Sequence, residues 1–222
     1  MRSSLEDYKW WKNSLLHAGN MNKKNLDYTF SKDLIRFVLF EYYPHLDWEP
    51  TDEFKNSDDN SFTAVVKLTL KHYLDTTENI FSHQLYVTFM EGKDCLIAHE
   101  ILCQYFRRMF LSKPVSCKSF LEYLCVVSKS TAYTYCISDT VAPLISLCSI
   151  YKTIVSMRQQ QMLSDSFWNE FALQCEYEVI FGTLCKSASI RHFLLPIFEE
   201  NYIESIYKST VEGYCRLRKN RN

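Results

Sequence analysis

Asp94 to Leu111 reads DCLIAHEILCQYFRRMFL, and Cys95, Ala98, Leu102, Tyr105, Phe106 and Met109 recur in it at intervals of three and four residues. That period puts them on one face of an α-helix. Asp94 stands where a carboxylate can accept the first free backbone N–H groups, and Pro114 stops the pattern. A capped and terminated helix of this length, buried along one side, sets the expectation of a helical fold. Arg107 and Arg108 fall on its solvent side.

The same signals repeat on either side. Toward the C-terminus, Ser116 starts a helix carrying Phe120, Leu121, Leu124 and Val127. Asp139 starts another through Leu144, Ile145, Cys148, Tyr151 and Ile154, with Pro143 tolerated in its first turn, running to about Gln160. Ser164 caps a helix with Phe167, Trp168, Phe171, Cys175, Ile180 and Leu184 on its apolar side, which Gly182 bends or ends. Pro196 opens the last. Toward the N-terminus, Ser3 and Glu6 form a capping box for a helix over 4–18, and Ser31 caps a second that Pro44 ends.

The expectation is therefore all-α: about eight helices in an irregular bundle or a HEAT/armadillo-like stack, forming a single helical domain over 1–222. A C-x4-E-x-L-C echo, Cys95 to Cys103 and Cys117 to Cys125, is a similarity that stacked helices produce, although two copies alone fit coincidence between amphipathic helices better.

Two stretches break the pattern. Phe62 to Leu74 fits a helix through Val65, Val66, Leu70, Tyr73 and Leu74, but also alternates like a strand. Leu85, Val87 and Phe89 alternate too, before the turn-like Glu91-Gly92-Lys93-Asp94, so a small β-hairpin within 62–90 is the alternative to helix there. The acidic stretch 47–60, with Asp52, Glu53, Asp58 and Asp59, reads as a solvated loop. It contains no glycine, so the calcium-loop spacing is absent.

Composition bounds the function. With 47% hydrophobic and 15% aromatic residues among 222, the chain has ample material for a core. A net charge of −1 supplies no global attraction to nucleic acid or anionic lipid, so any charge-based partner must meet a local patch. No apolar run approaches the length of a membrane span, and the first residues lack the apolar stretch of a secretion signal. All nine cysteines lie between Cys95 and Cys215, without a CxxC pair. This pattern suits reduced, mostly buried thiols in a reducing compartment, nuclear or cytoplasmic, better than a disulfide or zinc framework.

Catalytic signatures are missing. Four glycines, none close to another, leave no phosphate-cradling loop and no nucleophile elbow. His99-Glu100 opens like a zincin helix, but Cys103 stands where the second histidine belongs. His45 beside Asp47 is an ordinary surface pair, and no cysteine has a context that activates it. The expectation is no enzyme, no cofactor and no metal.

What remains points to contacts. Trp10 and Trp11 are about 100° apart on a helix, so one indole cannot share the buried stripe of Leu5, Tyr8 and Leu15. Arg107 and Arg108 form one basic cluster, and Arg216, Arg218, Lys219 and Arg221 form a basic tail over 216–222. The function expected is a protein interaction scaffold or complex subunit that binds a helix or peptide segment through a helical face or groove. The alternatives are a nuclear subunit of a nucleic-acid-associated complex that uses the basic tail, and an enzyme with a dispersed Cys/His site.

Overall fold

The computed structural model describes residues 25–50, 52–55, 62–77, 94–137 and 141–181. Six α-helices run through them: α1 Leu26–Arg36, α2 Ala64–Thr77, α3 Cys95–Leu111, α4 Cys117–Ile137, α5 Ala142–Gln159 and α6 Phe167–Phe181. No strand occurs among the described residues. None of their helices is long and apolar enough to cross a membrane. The helices expected over 4–18 and from Pro196, Gly182 and the possible hairpin strand at Leu85, Val87 and Phe89 lie outside the described residues.

The caps show how the sequence sets the boundaries. Asp94 accepts from the amides of Leu96 at 3.0 Å and Ile97 at 3.1 Å, so α3 begins where expected. Before α4, the Ser119 amide donates to Ser116 Oγ at 3.1 Å and the Ser116 amide to Ser119 Oγ at 2.9 Å, a capping box made by two serines. Pro143 sits in the first turn of α5, which starts at Ala142 after Val141, with no side-chain cap. Asp139 lies outside the described residues.

Two expected caps fall elsewhere. α1 starts at Asn25, whose Oδ1 accepts from the Asp27 amide at 2.9 Å. Ser31 sits inside that helix, its hydroxyl donating to the Asp27 carbonyl at 2.7 Å. α6 starts after Ser166, whose carbonyl accepts from the amides of Asn169 and Glu170. Both Ser164 and Ser166 direct their hydroxyls onto the Glu170 carboxylate, which holds its pKa below the usual carboxylate range.

The ambiguous stretch is helix from Ala64 onward. Val66, Leu70, Tyr73 and Leu74 are buried, whereas Ala64 and Leu68, which the alternating pattern would bury, are exposed. The described part of the acidic stretch, 47–50 and 52–55, is less solvated than expected, and Asp58 and Asp59 lie outside the described residues. Trp48 and Phe54 are both buried, their rings 5.5 Å apart and edge to face. Glu53 accepts a hydrogen bond from the Tyr28 hydroxyl at 2.9 Å. Two aromatic anchors and one buried phenol hold this loop against α1.

α4 is the centre of the packing. It meets α1, α2, α3, α5 and α6, and every residue from Phe120 to Thr134 is buried. α1 packs across α5, and α3 also lies along α5. Where α1, α4 and α6 meet, Phe30 contacts Trp168 at 4.3 Å between ring centroids and Phe171 at 5.8 Å, and Phe120 contacts Phe167 at 5.6 Å. The two halves of the C-x4-E-x-L-C echo open the neighbouring helices α3 and α4. Cys103 and Cys125 are buried and Cys95 and Cys117 half-buried, but the glutamates differ, Glu100 being half-buried and Glu122 buried.

Candidate functional site

A cleft of about 350 Å³ lies between α3 and α5. Glu100, Cys103, Gln104, Arg107, Arg108 and Leu111 line it from α3, and Ile145, Cys148, Ser149 and Lys152 from α5. Both sets follow intervals of three and four, so each helix contributes one face. The floor is apolar, from Leu111, Ile145 and the thiols of Cys103 and Cys148. The charged groups are three cations, Arg107, Arg108 and Lys152, against one carboxylate, Glu100, which accepts from Gln104 Nε2 at 3.2 Å.

The two arginines do different things. Arg107 is only half-exposed and reaches across to α5, where its Nη2 donates to Ser156 Oγ at 2.6 Å. That hydroxyl in turn donates to the Lys152 carbonyl at 2.8 Å. Arg107 is thereby oriented by α5, which corrects the expectation that it simply faces solvent. Arg108 is exposed.

Behind the floor lies a buried polar network. His99 Nδ1 is 2.9 Å from Thr134 Oγ1, and Nε2 is 2.8 Å from Ser146 Oγ. The Thr134 hydroxyl also donates to the Ser130 carbonyl at 2.8 Å. Thr131 Oγ1 lies 2.6 Å from Ser146 Oγ, and Cys103 Sγ is 3.7 Å from His99 Nε2.

Burial, against the smaller pull of a backbone hydrogen bond to Ala142, holds the His99 imidazole down to about 3. Burial likewise pushes the Cys103 thiol up to about 12 and that of Cys148 up to about 12. At neutral pH the pair is a neutral imidazole beside a protonated thiol. A thiolate nucleophile requires the opposite perturbations. The network fixes α3, α4 and α5 to one another with hydroxyl and imidazole hydrogen bonds.

Of the residues singled out in the sequence, Arg107 and Arg108 are brought together with Lys152 in this cleft. Trp10, Trp11 and the tail residues Arg216, Arg218, Lys219 and Arg221 lie outside the described residues. Sequence reasoning missed the α5 wall. Its signal was the spacing of Ile145, Cys148, Ser149 and Lys152, which shares a helix with the core stripe of Leu144, Tyr151 and Ile154. Among the described residues no three or more His, Cys, Asp or Glu side chains converge as metal ligands would. Comparisons with family models, curated protein sequences and solved structures returned no match.

Proposed function

We propose that this chain is a non-enzymatic interaction subunit that takes an acidic segment of another protein into the α3/α5 cleft. The observation that carries the reading is the cleft's combination of three cations with an apolar, thiol-lined floor. Carboxylates on a bound segment would pair with Arg107, Arg108 and Lys152, while its apolar side chains cover Leu111 and Ile145. A phosphate backbone fits less well. It carries no apolar side chains for that floor, it would meet Glu100, and it is drawn by a longer basic stripe than three residues supply.

The test is fluorescence anisotropy on the full chain. Three probes are compared: an amphipathic peptide with glutamates between leucines, the same peptide with glutamine for glutamate, and a DNA duplex. The acidic peptide should bind best. Arg108→Ala and Lys152→Ala should each weaken it by roughly 0.2–1 kcal/mol, up to about fivefold. Equal binding of the glutamine peptide, or preferred binding of the duplex, would overturn the reading.

A further inference from the structure

A second recess, about 150 Å³, lies between α2 and α6 and has the opposite chemistry. Leu68, Thr69, His72, Glu178 and Val179 line it. Glu178 continues the buried stripe of α6 through Phe167, Phe171 and Cys175, at spacings of four, four and three, and is only 5% exposed. Its Oε1 accepts from Gln174 Nε2 at 3.0 Å. Its Oε2 is buried with no hydrogen-bond partner among the described residues. Thr69, the hydroxyl in the lining, directs its proton to the main-chain carbonyls of Val65 at 3.0 Å and Cys175 at 3.2 Å, so it does not serve the carboxylate.

A buried carboxylate oxygen without a donor is unfavourable until one is supplied. The surroundings say what kind of group would supply it. Leu68 is 52% exposed, Val179 is 36% and Ile180 is 71%. The apolar rim of the recess is therefore Leu68 and Val179, while the exposed Leu173, Tyr177 and Ile180 lie on another face of α6, about 100° or more around from Glu178 and Val179. A bare cation would satisfy the charge and leave this rim in water. A lysine or arginine satisfies both parts, with its methylene stem against Leu68 and Val179 and its N–H donors on Oε2.

We propose that the α2/α6 recess docks one basic side chain of a partner protein, with its stem against Leu68 and Val179 and its N–H donors on Glu178. This site is separate from the α3/α5 cleft and calls for the opposite charge, so either can fail alone.

An NMR titration of the full chain decides it, using a peptide with one lysine between leucines, its arginine counterpart and its norleucine counterpart. The lysine and arginine peptides should shift the amide resonances of Thr69, His72 and Glu178 saturably. The norleucine peptide should bind roughly tenfold more weakly or worse. Glu178→Gln should erase the preference for lysine. Leu68→Ser, at an exposed position, should weaken the lysine peptide at an unchanged melting temperature. Lack of shifts with the lysine peptide, an unaltered preference in a folded Glu178→Gln chain, or equal binding of lysine and norleucine peptides to the natural chain would overturn the proposal. The last comparison requires no variant to fold.

Discussion

Asp27 holds Arg158 from both of its oxygens: Arg158 Nε lies 2.6 Å from Oδ2 and Nη2 lies 2.8 Å from Oδ1. Trp168 adds its indole N–H to Oδ1 at 2.9 Å. One carboxylate, 1% exposed, thus joins the first turn of α1, the last turn of α5 and the first turn of α6. The negative group sits at the N-terminal end of α1 and the guanidinium at the C-terminal end of α5, so both helix dipoles favour the arrangement.

Removing Arg158 would leave that carboxylate buried with only the indole. Breaking a buried ion pair costs about 3–5 kcal/mol, but the Arg158 side chain is 35% exposed, so Arg158→Ala should cost somewhat less, about 2–3 kcal/mol. Trp168→Phe, which keeps one aromatic ring and loses the donor with the rest of the indole, should cost about 1–2 kcal/mol. Chemical denaturation gives the order, and a larger loss from Trp168→Phe would show that Arg158 is not the principal partner.

His99 makes a prediction about acid. Its folded pKa lies at about 3 against an ordinary 6.5. Below pH 6.5 the unfolded chain therefore takes up a proton that the folded chain refuses, and stability falls as pH is lowered from about 6.5 toward 3. One proton corresponds to about 1.4 kcal/mol per pH unit at full effect. Urea unfolding at pH 7.5, 6 and 5 should show this loss, and a folded His99→Gln chain should show a shallower one. Parallel slopes would mean that His99 does not carry it.

The thiols should divide by burial. Cys103, Cys125, Cys148 and Cys175 are buried, and burial raises the pKa of each; Cys95 and Cys117 are half-buried; Cys136 is exposed. Alkylation of the native chain, mapped by mass spectrometry, should mark Cys136 well before the four buried positions, which should wait for denaturant. Early labelling of Cys103 would contradict the packing of α3 against α5.

Arg107 and Arg108 should separate in their effects. Arg107→Ala loses the contact with Ser156 and should cost about 1–2 kcal/mol of stability, whereas Arg108→Ala should stay within about 0.5 kcal/mol. Both should weaken the acidic peptide. Equal thermal shifts would mean that the link from Arg107 to Ser156 adds nothing.

Much of this fold is readable from single residues. Asp94 announces α3 because one carboxylate at one position meets two amides, and Leu144, placed by its spacing, is buried in α5. The start of α1 is misread at Ser31 because a local pattern contains no Arg158. The helix has to begin before Asp27 for that carboxylate to meet a guanidinium 131 residues away. Arg107 and Arg108 are legible as a basic pair, but Lys152 joins them only through the packing of α3 on α5. Glu178 and His99 are hardest to see, since a charged or imidazole side chain reads as solvent-facing until tertiary structure buries it.

The enclosure of α4 has a kinetic meaning. A helix with one wet side can fray or lift without disturbing the rest, but from Phe120 to Thr134 α4 has no such side. Its amides can meet deuterium only when the surrounding helices come apart together, so their exchange should report the opening of the whole assembly and follow denaturant with its full dependence. Amides near the ends of α6 should exchange much sooner. α4 then serves as the molecule's own clock for complete unfolding, and a substitution such as Val127→Ala should speed every slow amide in it by the same factor.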